Sequence, residues 1–434
     1  VEVLSSLRKT SDSTSKTDLS VNAQTRTIQR TFATLTFLTT LSTSLIWGVN
    51  TLFLLDAGLN NLQAFSANAF YTAGQVLFEI PTGIVADAWG RRTSYLLGAL
   101  TLLLATLVYV LLWYLHAPFW MWAIVSVVLG LGFTFFSGAT EAWLVDAMAY
   151  SKYEGEMDPV FAKGQIAAGI AMLSGSVGGG VIAQMTNLGM PYVVRAIFLI
   201  LTFAIACKYM KDLGFTPVPL KHPWQETKFV FRESITYGLK IRPVRWLMLI
   251  RPFTVGIGVY AFYALQPYLL KIYGDPSAYS IAGLAAALIA GAQIIGGLTV
   301  PYAHKIFSKR TSIILSDVVL SIIFLFLLGF AVNIYMAIIF VAIWAFASAF
   351  SEPVYLSLMN KLIPSKQRAT ILSFNGLMGS SGGVVFQPIL GKAADIFGYA
   401  VTYIISSVVT SFALIFVFLA RKECIKADRI SNKT

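Results

Sequence analysis

Cysteine and histidine are nearly absent from this sequence, with 2 and 3 residues in 434. His116, His222 and His304 fall on separate loops, so there is no clustered ligand set for a metal centre, and no cofactor is expected. No Gly-x-x-x-x-Gly-Lys-Ser/Thr loop occurs, and no polar segment is long enough for a nucleotide domain, which excludes an ATP-driven pump. Charge is scarce as well, at 12% of residues. Residues 1–30 are rich in Ser and Thr, with Arg8, Lys9, Asp12 and Asp18 among them. They lack the apolar core and small-residue cleavage site of a secretory signal, and they read as a flexible cytoplasmic tail. Long polar/apolar alternation is missing too, which excludes a membrane-spanning barrel.

Apolar sequence is what the chain has in abundance. Hydrophobic residues make up 57% of it, and the mean hydropathy is +0.72. The apolar runs are about 20 residues long, the length that crosses a bilayer as a helix. Unpaired backbone cannot face hydrocarbon, so the runs must be helical. They lie near 31–55, 63–86, 94–115, 119–146, 161–186, 192–208, 245–271, 278–303, 312–331, 333–359, 368–390 and 399–420. The expected fold is an all-α membrane protein of 12 transmembrane helices, in two pseudo-twofold six-helix bundles. Residues 31–208 form the first bundle and 245–420 the second, with a linker at 209–244 and a second tail at 421–434.

Basic residues orient these spans. Arg91 and Arg92, Lys152, Lys208 to Arg245, His304 to Arg310, Lys361 to Arg368 and Arg421 to Lys433 fall on alternate loops, which places those loops and both termini in the cytoplasm. The opposite loops hold little beyond His116, Arg195, Lys271 and Lys392. The net charge of +12 is therefore a topology signal and a surface for anionic lipid, with no nucleic acid as partner. Cys207 and Cys424 fall on the cytoplasmic side, where a disulfide does not persist. In the linker, Phe231, Ile235 and Leu239 recur every four residues between Lys228, Arg232 and Lys240. That spacing fits a helix on the membrane surface or a solvated connection.

The two halves repeat one another. Gly175-Ser-Val-Gly178-Gly179 in the fifth span is echoed by Gly379-Ser-Ser-Gly382-Gly383 in the eleventh. Arg91-Arg92-Thr93-Ser94 is echoed by Lys309-Arg310-Thr311-Ser312, and Glu141 in the fourth span by Glu352 in the tenth. The order and spacing of the three echoes are those of a duplicated bundle.

Between the second and third spans the chain reads Gly83-Ile-Val-Ala-Asp87-Ala-Trp-Gly90-Arg91-Arg92. Pattern and position together resemble the loop between the second and third helices of the major facilitator superfamily of secondary transporters. The second copy is degenerate, with Pro301, Lys305 and Ser308 where Gly83, Asp87 and Gly90 stand. The resemblance implies that Asp87 faces the positive N-terminal end of the eleventh helix and locks the outward-facing state, with Gly83 allowing close approach. Arg91 and Arg92 then need an anion, for which Asp146 is the nearest candidate by topology, or they bind lipid phosphates. Phe78-Glu-Ile-Pro-Thr-Gly and the segment from Ser137 to Asp146 are similar to bacterial drug and multidrug efflux members. The antiporter pattern Gly-Pro-x-x-Gly-Gly is interrupted, because Ser176 replaces its proline.

Polar residues inside spans are expensive and carry a functional expectation. Thr36, Thr39, Thr40, Thr43, Trp47 and Asn50 form one stripe in the first span, and Asn68, Tyr71, Gln75 and Glu79 another in the second. Gly130, Thr134, Ser137 and Glu141 align in the fourth span, Arg251, Thr254 and Gly258 in the seventh, and Trp344, Ser348 and Glu352 in the tenth. These striped spans should line a cavity while the third, sixth and twelfth face lipid. Asp317 in the ninth is an exception, expected near the cytoplasmic edge, paired or snorkelling. Glu79, Glu141, Glu352 and Arg251 fall in the inner half of the membrane. They form either a proton-coupling site, led by Glu79 and Glu141 with Asn50, Gln75, Trp47 and Tyr263 in the cavity, or ion pairs closing an inner gate, led by Arg251 with Glu352. Tyr260, Tyr263, Tyr268, Trp143 and Trp344 offer flat surfaces for substrate or plain packing.

The expected function is secondary active transport of a small amphipathic molecule across the cytoplasmic (inner) membrane by a multi-pass monomer. Proton-coupled export is the leading reading, and metabolite uptake or lipid or glycolipid flipping the alternatives. Asp87→Asn should leave membrane insertion intact and slow transport by about tenfold, since a charge at a helix end contributes about 1–2 kcal/mol to one state. Flux into vesicles, corrected for inserted protein, measures this; unchanged flux removes the motif from the mechanism.

Overall fold

The computed structural model describes residues 2–217, 232, 238–364, 368–424 and 428, with side chains from Ala23 onward except those of His304, Ala369 and Thr370. Nearly all of it is helix, and no extended strand occurs among the described residues. The first half comprises α1 (Glu2–Trp47), α2 (Asn50–Asp56), α3 (Asn61–Trp89), α4 (Arg91–Tyr114), α5 (Phe119–Thr134), α6 (Ala139–Tyr150), α7 (Asp158–Met185) and α8 (Met190–Tyr209). The second comprises α9 (Arg242–Arg251), α10 (Ile257–Tyr273), α11 (Tyr279–Thr299), the short α12 (Ala303–Ile306), α13 (Arg310–Leu328), α14 (Ile334–Leu362), α15 (Arg368–Ser411) and α16 (Ala413–Glu423).

Among the described residues, nine helices are long and apolar enough to cross a membrane, or ten if α1 and α2, bent by 49° at Gly48–Val49, are one span. Two further features complicate that count. The 29-residue α3 carries Asn, Gln, Glu and Asp along its length, and α15 contains a sharp turn at Gly398, where φ is +78°. All twelve apolar runs have helical backbone. The eleventh continues well past 390, to that turn.

Residues 2–30, expected to be a flexible tail, continue α1 as helix, and no glycine or proline precedes Gly48 to stop it. Of the proposed surface helix in the linker, Phe231 and Ile235 lie outside the described residues.

Breaks in the spans have identifiable causes. After Arg251 a π-helical turn over Pro252–Gly256 joins α9 to α10, with proline unable to donate to the ladder. The fourth span divides at Phe135–Gly138, where Gly138 has φ +69°. The Gly-rich echoes make equivalent contacts: a Cβ on Gly179 would strike the Leu45 carbonyl in the first span, and one on Gly382 would strike the Pro252 carbonyl in the seventh. Each fifth-position helix therefore packs backbone to backbone on the first helix of its own half. Outward faces of α4, α8 and α16 carry exposed Leu104, Leu107, Leu111, Ile197, Ile200 and Phe418, an apolar belt fit for lipid.

The halves meet tightly at the end of the molecule remote from Arg91. Gly180 and Gly283 cross there with Gly48 beside them; a Cβ on Gly48 would lie 2.7 Å from the Gly283 Cα, and one on Gly283 would lie 2.6 Å from the Ser176 carbonyl oxygen. Gln266 reaches from α10 to the α1–α2 break, accepting from the Thr51 amide at 2.8 Å and donating to the Trp47 carbonyl at 2.6 Å. Asp395 accepts from the amides of Asn61 and Leu62 at 2.9 and 3.0 Å, at the start of α3. Asp87 lies at the other end of that helix, about 39 Å away at 1.5 Å per residue. There the side chain of Asp87 is 51% exposed, and nothing lies within 4 Å of a Cβ on Gly83. The expected close approach at Gly83 is absent because the halves are apart at this end.

Gly283→Ala should therefore destabilise the detergent-purified protein by about 1–3 kcal/mol, the range for overpacking, whereas Gly291→Ala on the same helix meets nothing within 4 Å and should be neutral. Thermal unfolding of the two variants side by side checks it; equal midpoints count against a glycine-dependent seal.

Candidate functional site

A cavity of about 500 Å³ lies between the halves, open toward the basic end. Thr43, Trp47, Tyr71, Gln75 and Phe133 line it from the first half. Arg251, Thr254, Gly258 and Tyr263 line it from the seventh span, and Trp344, Ser348 and Glu352 from the tenth. The seventh- and tenth-span stripes thus face one space, as their helical spacing implies.

The charged centre of this space is a bidentate ion pair. Arg251 Nη1 and Nη2 reach Glu352 Oε2 and Oε1 at 2.6 and 3.0 Å, and the guanidinium lies 4.9 Å from the ring centre of Tyr355. Both residues belong to the second half. As it stands the pair joins nothing across the halves.

Asp317 lies away from its expected place. It does not snorkel at an edge but lines the cavity, accepting from Ser348 Oγ at 3.1 Å and Ser321 Oγ at 3.4 Å. Among the described residues no cation lies within ion-pair distance of it. A signal was available: Ser321 lies one turn along from Asp317, and Ser348 belongs to the tenth-span stripe already read as cavity-facing.

Other expected cavity residues lie elsewhere. Asn50 is buried inside the first half, donating to Asn68 Oδ1 at 2.8 Å and accepting from the Tyr192 hydroxyl at 2.8 Å. Glu79 accepts from Ser137 Oγ at 2.7 Å, bridging α3 to the break between α5 and α6. Glu141 is exposed in the first turn of α6, outside the cavity lining. Tyr260 and Tyr268 bond to Thr402 and to the Leu328 carbonyl within the core, and Trp143 donates to the Lys211 carbonyl at 2.7 Å. Of the five aromatics singled out, Tyr263 and Trp344 reach the cavity.

The loop motif forms its own constellation. Arg91 pairs with Asp87 one turn back, and its Nε lies 3.9 Å from Asp146 Oδ2. Arg92 donates to the Cys207 carbonyl at 2.7 Å, and its amide donates to Asp212 Oδ1 at 2.8 Å. Gly90 has φ +103°, and a Cβ there would strike the Asp212 carboxylate, so both its conformation and its neighbour require glycine. In the second half Asp428 Oδ1 accepts from the Thr311 amide at 2.7 Å, the counterpart of Asp212. Sequence reasoning missed both aspartates; each follows the last span of its half, where extending the repeat would have found it. Both cysteines are free, and burial pushes the Cys424 thiol up to about 12, which makes it chemically quiet.

Arg195 is placed where the charge pattern did not put it. It is 6% exposed in α8 rather than on a loop, and its Nε has no hydrogen-bond partner among the described residues.

The family model described as Major Facilitator Superfamily matches residues 32–386. The chain belongs to that superfamily. It is a multi-pass membrane transporter, not an enzyme, and secondary transport is the activity of its family. Among solved structures it resembles the nucleoside transporter NupG, at 12% identity and a TM-score of 0.72, covering 91% of this chain and 98% of that one. It also resembles a POT family transporter in complex with 5-aminolevulinic acid, at 15% identity and a TM-score of 0.71, covering 91% of this chain and 96% of that one. A third is a bacterial homolog of the human lysosomal transporter Spinster, in an inward-facing and unoccupied conformation, at 15% identity and a TM-score of 0.69, covering 94% and 99%. These likenesses concern the fold. No curated protein matches the chain.

The ion pair makes a quantitative expectation for this superfamily member. Arg251→Ala and Glu352→Ala should each lower stability, and the double variant should lose less than the sum, with a coupling of about 1–2 kcal/mol for a pair in contact. Thermal unfolding in a double-mutant cycle measures it; additivity within about 0.3 kcal/mol would mean the two side chains do not interact.

Proposed function

We propose that the chain exports small amphipathic molecules, driven by protons, through alternating access. The observation that carries this reading is the roughly 500 Å³ cavity between the halves, tightly closed at one end and open at the other. Its volume suits a drug-sized ligand, and aromatic walls around one charged centre suit an amphipathic one. The positive-inside rule places the basic end in the cytoplasm, together with both termini, and makes this conformation inward-open. The proposed architecture has twelve spans, since counting α3 and dividing α15 at Gly398 supplies two beyond the ten that pass on length and composition. They form bundles at 31–208 and 245–420, joined by a cytoplasmic linker at 209–244, and the protein acts as a monomer in the inner membrane.

For coupling, the geometry favours Asp317 over Glu79 and Glu141. A carboxylate that faces the cavity and is held by serine hydroxyls takes up a proton without breaking an ion pair, and Arg251 with Glu352 beside it responds to that change of charge. In the motif, Gly83, Asp87, Gly90, Arg91 and Arg92 with Asp146 serve the conformational change. Asp87, half exposed and paired with Arg91 in this state, can meet the start of α15 when the basic end closes. Uptake by symport is the second reading, favoured by Ser176 standing where the antiporter pattern has proline.

Accumulation of a panel of fluorescent amphipathic dyes, in cells lacking or overproducing the protein, separates the two. Export lowers cell content in a manner abolished by a protonophore, and Asp317→Asn raises content to the level of the deletion. Higher content on overproduction indicates uptake. Protonophore-insensitive export, or full export by Asp317→Asn alongside failure of Glu79→Gln, overturns the coupling assignment.

A further inference from the structure

Arg195 presents a problem that the transport cavity resolves. A guanidinium cannot shed its proton, and inside a membrane protein it needs a countercharge. Here the side chain is 94% buried (6% exposed), and no carboxylate stands among the ionisable groups around it. Those groups are four tyrosines: Tyr71 from α3, Tyr109 from α4, Tyr192 from α8 itself and Tyr263 from α10 in the other half. Tyr71 and Tyr263 are cavity-lining residues, one from each half, so the guanidinium lies behind that part of the cavity wall and not among the lining itself.

The hydrogen bonds of that ring are unbalanced. Tyr192 donates to Asn50 Oδ1 at 2.8 Å, and the Tyr109 hydroxyl is engaged with Ser126. Tyr71 accepts from Gln75 Nε2 at 3.2 Å, which leaves its own proton free, and Tyr263 makes no hydrogen bond among the described residues. One turn back along α3, Asn68 Oδ1 accepts from Asn50 while its Nδ2 is buried without a partner. Arg195, Tyr71, Tyr263 and Asn68 thus supply donors, and the open acceptors among the four tyrosines are neutral hydroxyl oxygens, which leave the guanidinium's charge without a counterpart. Buried polar groups are paired in folded proteins, so a surplus of donors around one cation specifies an absent acceptor with negative charge.

We propose that Arg195, flanked by the hydroxyls of Tyr71 and Tyr263, binds the carboxylate of an organic-anion substrate at the closed end of the cavity. This rests on the transport reading above and narrows its substrate class. The fork of an arginine accepts a carboxylate through two parallel bonds, and the aromatic walls of Trp47, Phe133 and Tyr263 hold the apolar part of the molecule. A donor from each half on one anion also means that the substrate bridges the halves only while the remote end is closed.

The test is thermal unfolding of the full chain in detergent at pH 7 with matched acids and amides: benzoate and benzamide, phenylacetate and phenylacetamide, 4-phenylbutyrate and 4-phenylbutyramide. At least one acid should raise the midpoint where its amide does not. Arg195→Gln should abolish that shift while raising the ligand-free midpoint, because an uncompensated charge is gone. Arg195→Lys, which keeps the charge and loses the fork, should weaken acid binding by about tenfold. Tyr263→Phe removes one donor outside the first half's core, so it decides the matter if Arg195→Gln does not fold: its ligand-free midpoint should hold while acid affinity falls severalfold. The proposal is overturned if no acid outperforms its amide, if the acid shift persists in Arg195→Gln, or if Tyr263→Phe binds as well as the parent chain. Those outcomes leave protonophore-sensitive dye export intact, whereas failure of the transport reading would remove that export and leave the acid-specific shift.

Discussion

The start of a helix presents amides with no partner in its own turn, and in an apolar surround that need is acute. This chain meets it three times with an aspartate delivered from far along the sequence. Asp212 serves α4, Asp428 serves α13, and Asp395 serves α3. The first two stay within their own halves and fix the third-position helix against the end of the last one. Asp395 reaches across, so the same physical device that organises each half also ties the two together. Much of the remaining geometry depends on these contacts: the start of α4 positions Arg91 and Arg92, and the start of α3 sets how the walls of the cavity converge.

The division of charge inside the cavity is uneven. The second half contributes an arginine–glutamate pair and an aspartate held by hydroxyls, while the first contributes aromatic surface, an amide and, behind Tyr71, a lone guanidinium. Interior charges in the two halves are therefore balanced differently: Arg251 and Glu352 neutralise each other, whereas Asp317 and Arg195 have no ion-pair partner among the described residues. An ion pair inside one half keeps that half a rigid body as the halves move, so it need not be a gate to matter for transport.

Helical character was legible in the sequence, because bilayer length and backbone satisfaction constrain it so strongly. The stripes of the seventh and tenth spans were legible for the same reason, since a polar residue in such a helix has few places to point. Asn50 was misplaced because periodicity gives the face of a helix but not its neighbour; its face turns inward to Asn68 and Tyr192. Asp317 was misplaced because a single acid in an apolar helix reads as an edge residue until the serines of the next helix are set beside it. Arg195 could not be found by counting charges per loop, since burial moves it off the loop altogether. The helical tail and the conformational state also lay beyond periodicity, which carries no information about which end of a bundle is closed.

The break in the first span carries a consequence of its own. At Gly48–Val49 the helix interrupts its hydrogen-bond ladder, and two of the backbone groups beside the break are satisfied by a single glutamine that belongs to the other half. When the halves separate there, Gln266 leaves with its half and those groups lose their partner in a dry environment. The bend can then persist only if water follows, or it must straighten into continuous helix. Secondary structure and domain motion are thus a single coordinate at this position: the shape of the first span records, like a mechanical register, whether the remote door is shut.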